Sequence, residues 1–228
     1  MSTTKQTKEQ AREKLRAIAS EFKERGDQLG WFDAVYSEAK GDIENIPWAD
    51  LEPNRFFKAW AEEHALKGNG HKALVVGCGL GDDARYMSEL GFDVTAFDIS
   101  PTAIEWAKRL SDGSKIQFEV SDLFQPFRGW LEAFEFVLEI YTIQPLPMEL
   151  RSKAIDAVAS FVAPGGQLVV VCRGREDDEE TEQIPYPLSR KDLSQFEKNG
   201  LVEKEFSEAV DDEDDPPTRR FIVLYQRD

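Results

Sequence analysis

LVVGCGLGDD, residues 74–83, is the stretch on which the reading of the whole chain turns. An apolar run ends in three alternating glycines, Gly77, Gly79 and Gly81, and Asp82 and Asp83 follow at once. With the helical segment DDARYMSEL behind it, this is a strand–turn–helix unit, which brings a ligand close to the backbone at the carboxyl end of the first strand. The next apolar run, DVTAF (93–97), leads into Asp98, 21 residues beyond Gly77. An acid at that distance is placed to accept hydrogen bonds from ribose hydroxyls.

Two cofactor classes use such a loop, and charge separates them. A dinucleotide places an anionic pyrophosphate at the helix N-terminus, where the helix dipole favours it. Here that turn opens with two carboxylates, and position 82, where the dinucleotide fingerprint has its third glycine, is aspartate. S-adenosylmethionine instead carries an ammonium and a sulfonium and no phosphate. An acidic glycine loop suits it. Asp82 and Asp83 also cap the helix, a role compatible with this one.

Outward from the loop, strand and helix patterns alternate. PTAIEWAKRL (101–110) is a helix opened by Ser100 and Pro101, KIQFEV (115–120) a third strand and FEFVLEI (134–140) a fourth. A helix runs from Pro147 to about Val162, APGG turns the chain, and QLVVVC (167–172) makes a fifth strand. Ser189 caps a helix ending at Gly200, and VEKEFSEA and RRFIVLYQ form a closing hairpin. The expected fold is α/β: a Rossmann-like parallel sheet with helices on both faces and an antiparallel C-terminal hairpin. Before the loop, Ala11, Leu15, Ile18 and Phe22 share one face of a helix over 5–25 closed by Gly26, and WFDAVYSEA follows from Trp31. Residues 41–54 read as a loop, and Pro53 suits the first turn of a helix to about Leu66. Residues 1–70 are thus expected to form a helical extension or lid, and 71–228 the cofactor-binding domain.

The chain has 228 residues, 41% hydrophobic, enough for a sizeable core. A polar N-terminus and the lack of a long apolar run suggest a cytoplasmic protein that enters no membrane. Two cysteines make neither a disulfide framework nor a metal cluster, and His64 and His71 are not spaced as metal ligands, so no metal is expected. The net charge is −16, but residues 176–182 and 211–215 hold 11 of the 44 acids, leaving 33 against 28 basic residues. No basic stripe suits a nucleic acid. Both acidic runs should lie at the carboxyl edge of the sheet, either as solvated loops or as a negative rim that disfavours anionic acceptors.

At these residues the chain resembles the class I S-adenosylmethionine-dependent methyltransferases, over about residues 72–228. VVGCGLGDD resembles their glycine-rich first motif, FDIS (97–100) the second-strand acid, SDLF (121–124) the third-strand loop, EFVLEIYTIQPLP (135–147) the segment after strand four, and VAPGGQLVVV (162–171) the turn into strand five. IPWADLEPN (46–54) and IPYPLS (184–189) are similar to segments of the thiopurine and halide/thiol methyltransferases. Asp82, where those relatives often have His, and EIYTIQPLP depart from that subgroup, so its substrate is not inherited.

The resemblance implies that Gly77, Gly79 and Gly81 approach the amino-acid part of S-adenosylmethionine, and that Cys78 and Asp83 also belong to the cofactor site. It places Asp98 on the ribose, with Ile99 and Ser100 beside the adenine, Asp122 on the adenine amino group and Leu123 stacking. Glu139 and Tyr141 fall where cofactor and acceptor meet, as candidates for a general base or for orienting either partner. Trp31, Trp48 and Tyr186 resemble an aromatic lid, with Trp48, Tyr141 and Tyr186 facing a small-molecule acceptor. The aromatic cluster of Trp31, Phe32, Tyr36 and Trp48 reads equally as core, and Cys78 as a residue small enough for the loop. Methyl transfer needs no enzyme nucleophile, so the lack of a Ser–His–Asp pattern is no objection. The alternatives are a cofactor-binding subunit without catalysis and a nicotinamide oxidoreductase. Neither the acceptor atom nor the choice between monomer and homodimer follows from the sequence.

Overall fold

In the computed structural model, residues 2–179, 184–214 and 216–228 are described, the side chains of 2–10 and 12 excepted. Residues 180–182 of the first acidic run and 215 of the second lie outside the described residues.

Seven strands form one sheet: β1 (Lys72–Val76), β2 (Asp93–Asp98), β3 (Gln117–Val120), β4 (Phe134–Ile140), β5 (Val162–Arg173), β6 (Leu201–Asp211) and β7 (Thr218–Arg227). Their order is β3-β2-β1-β4-β5-β7-β6. The first five are parallel. β7 enters antiparallel between β5 and β6. The chain moves outward from β1 through β2 to β3 and then returns to the other side of β1 as β4. That reversal opens a crevice at the carboxyl ends of β1 and β4. A Rossmann-like sheet with an antiparallel ending is therefore the fold.

Strands buried on both faces read as continuous apolar runs, as ALVV and FVL do here. One face, with Leu74, Val76, Val137, Leu168 and Val170, packs against Ala154, Ile155 and Val158 of α6 (Met148–Ser160) and Phe196 of a short helix, Gln195–Lys198. The opposite face, with Ala73, Val75, Ala96 and Leu138, packs against α3 (Arg55–Glu63), α4 (Asp82–Glu89) and α5 (Pro101–Leu110). Each fully buried aliphatic or aromatic side chain contributes about 1.5–3 kcal/mol relative to exposure.

Three local readings are corrected. Asn54, and not Pro53, starts α3: its side chain accepts from the N–H groups of Phe56 and Phe57, and Pro53 stands outside the helix. The APGG segment does not separate two elements but rides inside β5 as a bulge, with Phe134 opposite Val162 and Phe136 opposite Gln167. The helix after Ser189 divides into Arg190–Leu193 and Gln195–Lys198 at Ser194. Ser189 forms a capping box with Asp192.

The N-terminal extension divides too. α1 (Ser2–Glu24) and α2 (Trp31–Ala39) bury Leu15, Ile18, Ala19, Trp31 and Val35 together, with Ile184 packed against them. Residues 55–63, assigned from sequence to the same extension, instead place Phe57, Trp60 and Ala61 in the core of the sheet. Among the described residues no helix is long and apolar enough to cross a membrane, and no group of three or more His, Cys, Asp or Glu could hold a metal ion.

Candidate active site

The crevice is built from two turns, one after β1 and one after β4. In the first, Gly77 and Gly79 have φ of +59° and +52°, values that only glycine adopts without strain. A Cβ on Gly77 would lie 2.4 Å from Oγ1 of Thr142, and one on Gly79 would lie 2.9 Å from the hydroxyl oxygen of Tyr36. The loop is shaped from outside by Asp98, at the end of β2. Its Oδ2 accepts from the N–H of Gly79 at 2.9 Å and its Oδ1 from the N–H of Ser100 at 2.9 Å. Burial pushes the Asp98 carboxyl above its usual range, against these stabilising N–H groups.

The two acids that follow the loop are not a bare negative patch. Asp82 pairs with Arg85, which also donates to the carbonyl of Leu80 at 2.9 Å. Oδ1 of Asp83 accepts from the N–H of Asn54 at 2.7 Å, tying α4 to the start of α3, and burial raises its pKa to about 7. The carboxylates thus serve the loop's own structure first, which reduces the electrostatic argument made from sequence for a cationic ligand.

The turn after β4 carries Tyr141 at φ +57°, a left-handed conformation that is unusual for a tyrosine. It is fixed from below by Glu139. This carboxylate is fully buried, and its Oε1 accepts from the N–H of Thr142 at 2.7 Å and of Ile143 at 3.0 Å, while Oε2 has no partner. Burial raises its pKa to about 7. Glu139, a candidate base from sequence, therefore faces the core and caps the turn. Tyr141 lies beside Arg220, whose guanidinium carbon is 5.6 Å from the ring centroid, and burial raises its hydroxyl pKa above the usual value.

Aromatic residues of the N-terminal segment approach the loop from the other side. Trp31 is 4% exposed and stacks on Phe32 at 3.9 Å, while Trp48 is 41% exposed and donates its indole N–H to the hydroxyl of Tyr36 at 2.8 Å. Tyr36, read from sequence only as one member of an aromatic cluster, is the one that reaches the glycine loop. Asp33 locks α2 to α5: Ser100 donates its hydroxyl to Oδ1 of Asp33 at 2.6 Å, and the N–H of Thr102 donates to the same oxygen at 3.1 Å. Ile99 and Cys78 are half-buried beside these groups, and Ser100 is buried as the cap of α5. On the β3 side, Leu123 is buried, and Asp122 spends Oδ1 on the N–H of Phe124 at 2.8 Å and Oδ2 on Gln125 at 3.3 Å. Tyr186 donates its N–H to the carbonyl of Gln144 at 2.9 Å, which brings the 184–189 segment over the turn after β4.

The acidic runs do reach this edge, but arginines meet them. Arg220 pairs with Asp211 and Asp214 at 2.6 and 2.7 Å, Arg173 with Asp214 at 3.1 Å, and Arg55 with Asp211, Asp212 and Glu213. Asp214 is held down to about 2 by its hydrogen bonds to Thr218 and Arg220 and by the charge of Arg173, which outweigh desolvation. Arg219 pairs with Glu176 of the first run. Among the described acids of the two runs, Glu176 and residues 211–214 are thus met by arginines.

Comparison with known proteins covers the same part of the chain. Residues 73–166 match the methyltransferase domain family. The match spans β1 to the APGG bulge and so contains both turns. The chain is 25% identical over 153 residues to the 2-heptyl-1-hydroxyquinolin-4(1H)-one methyltransferase of Mycobacteroides abscessus, a match covering 66% of each protein. It spans less, 31% and 43%, of a tocopherol O-methyltransferase of Arabidopsis thaliana and a ubiquinone biosynthesis O-methyltransferase of Xanthomonas axonopodis. Among solved structures, the N-methyltransferase NodS of Bradyrhizobium japonicum superposes with a TM-score of 0.64 at 20% identity, covering 85% of this chain and 96% of that one. The [4+2]-cyclase SpnF superposes at 0.69 with 14% identity, covering 87% and 94%. At these identities the likeness is one of fold: the class I methyltransferase fold, which hosts more than one chemistry.

Proposed function

We propose that the protein transfers a methyl group from S-adenosylmethionine to a small-molecule acceptor. The observation that carries this is Asp98. It stands at the end of β2, holds the glycine loop through the N–H of Gly79, and keeps lone pairs free for ribose hydroxyls. The methyltransferase domain match and the names of the relatives support the same reading. The cradle fits such a cofactor: the loop approaches closely where a side chain would intrude, and the one basic group at its helix, Arg85, is already paired with Asp82.

S-adenosylmethionine, when bound, supplies a methyl on a positively charged sulfur that leaves readily. The chain's own residues have to position and enclose. Asp98 accepts from the ribose, Asp122 from the adenine amino group, and Ile99 and Leu123 flank the adenine. Gly77, Cys78, Gly79 and Asp83 line the amino-acid end. Tyr36, Trp48 and Trp31 exclude water above it. Tyr141 and Tyr186, with Trp48, face the acceptor. With its pKa raised, the Tyr141 hydroxyl keeps its proton at neutral pH and donates a hydrogen bond that orients the acceptor, while Glu139 fixes the turn that presents it. Such a site favours an acceptor that arrives already nucleophilic, such as a thiolate, a neutral amine or an acidic phenol. The IPWADLEPN and IPYPLS segments border the crevice through Trp48 and Tyr186, which keeps the thiopurine and halide/thiol subgroup as the finer proposal.

Calorimetry with S-adenosylhomocysteine and with NAD tests this directly. Binding of the first and not the second is expected, and Asp98→Ala should weaken it by about 1.5–3 kcal/mol, the scale for hydrogen bonds to a charged group. Tight NAD binding, or an unchanged affinity in the variant, would overturn the reading. S-adenosylhomocysteine binding without turnover of any thiol, amine or phenol would favour the non-catalytic alternative.

A further inference from the structure

Arg151 stands in the first turn of α6, just past the turn after β4, and is 4% exposed. Its Nη2 donates to the carbonyl of Tyr186 at 3.1 Å and reaches that of Gln144 at 3.5 Å. The guanidinium carbon lies 5.1 Å from the centroid of the Tyr186 ring. Its Nε and Nη1 are buried and have no hydrogen-bond partner among the described residues. A guanidinium carries its charge at neutral pH, and a buried cation with open donors is unfavourable unless something occupies them.

Two neighbouring buried arginines show what a purely structural role looks like. Arg175 donates Nε to the carbonyl of Pro187, Nη1 to the carbonyls of Glu176, Asp177 and Glu179, and Nη2 to Asp192 at 2.9 Å. Arg220 sits between the carboxylates of Asp211 and Asp214, although its Nε, too, is buried without a partner among the described residues. Each has its anion. Among the described residues Arg151 pairs with none, because Asp192, the acid whose charge it feels most, is engaged by Arg175 and the N–H of Ser189. The unmatched charge is bracketed by Gln144 and Tyr186, the second of which the proposed function sets on the acceptor side.

We propose that Arg151 is the acceptor's anchor: its open N–H groups receive the carboxylate of a small aromatic acid, with the Tyr186 ring set against the acceptor's own ring. The acceptor class is then an aromatic carboxylic acid with a nucleophilic substituent. This rests on the methyl-transfer reading and narrows it. It also reverses the charge preference that the acidic runs suggest, since Glu176 and residues 211–214 of those runs are met by arginines. Entry requires the cover over the open donors to move, because both are buried.

The test uses two pairs of probes, salicylate with salicylamide and anthranilate with anthranilamide, titrated into the full chain saturated with S-adenosylhomocysteine. At least one acid should bind tenfold or more tighter than its own amide. Arg151→Met should bring that ratio below twofold, and Arg151→Lys should retain part of it. Both variants should hold S-adenosylhomocysteine as the parent does, which also shows that they are folded. A ratio near one in the parent, a ratio that survives in Arg151→Met, or no binding by either acid would overturn the assignment. Failure of the parent to bind S-adenosylhomocysteine is a separate result: it removes the methyl-transfer reading, and this assignment with it.

Discussion

The turns after β1 and after β4 lie on neighbouring strands and face the same crevice, yet they are held in opposite ways. After β1 the left-handed residues are glycines, and the loop is steadied from outside by one carboxylate, Asp98. After β4 the left-handed residue is Tyr141, which gains nothing from its own backbone preference, and the restraint is a carboxylate buried beneath it. The first turn is made by local sequence and tuned by a distant acid. The second is imposed by the core. A glycine loop can adopt its shape before the fold is complete, whereas the Tyr141 turn has no reason to exist without Glu139.

That contrast is most exposed to Glu139→Ala. Removing the carboxylate leaves the N–H groups of Thr142 and Ile143 unpaired in a buried place, at a cost of about 2–4 kcal/mol, readable by urea denaturation. A loss below about 0.5 kcal/mol would mean that the turn holds itself.

The next effect is in pH. Glu139 and Asp83 have ordinary values of 4.5 and 3.8 and rise to about 7 in the folded protein. The native state therefore binds more protons than the unfolded chain between about pH 4 and 7. The stability these groups contribute is complete below pH 4 and is lost as pH rises through 7. Asp214, lowered from 3.8 to about 2, acts the other way: its contribution is present above pH 4 and is lost as pH falls through 2. Urea midpoints at pH 5.5 and 8 should differ, the higher pH being less stable, and Glu139→Gln or Asp83→Asn should shrink the gap. A gap that neither variant alters would show that these carboxyls do not govern it.

The smallest effect belongs to the glycine loop. Gly79→Ala places a Cβ at φ +52° and 2.9 Å from the Tyr36 hydroxyl oxygen, for about 1–2 kcal/mol. Tyr36→Phe in the same chain removes the crowding oxygen and should recover part of that loss, a coupling that additive variants would contradict.

The same contrast explains what could be read from the sequence. The strand, the glycines and Asp98 were legible because each satisfies a local rule at a fixed spacing. The start of α3 was not: Pro53 and Asn54 are both start signals, and the hydrogen bond from the N–H of Asn54 to Asp83, 29 residues away, holds the second in place. Tyr36 was hidden among Trp31, Phe32 and Trp48, since only packing against α5 decides which ring reaches Gly79. Asp33, Arg151 and Arg220 left no signal, because an isolated charge on a helix or strand does not announce its burial. Glu139 was picked out because the resemblance puts it where cofactor and acceptor meet, but its position at the end of β4 could not say that the carboxylate turns inward.

The strand order carries a consequence for how the molecule is made. Within the sheet of described residues β6 neighbours no strand but β7, and β7 is synthesised after it. Until β7 leaves the ribosome, the outer edge of β5 has no neighbour and β6 has nowhere to dock. A nascent or prematurely terminated product therefore exposes a long apolar edge ready to pair with another copy. Quality control of this protein should act on chains that stop before residue 218.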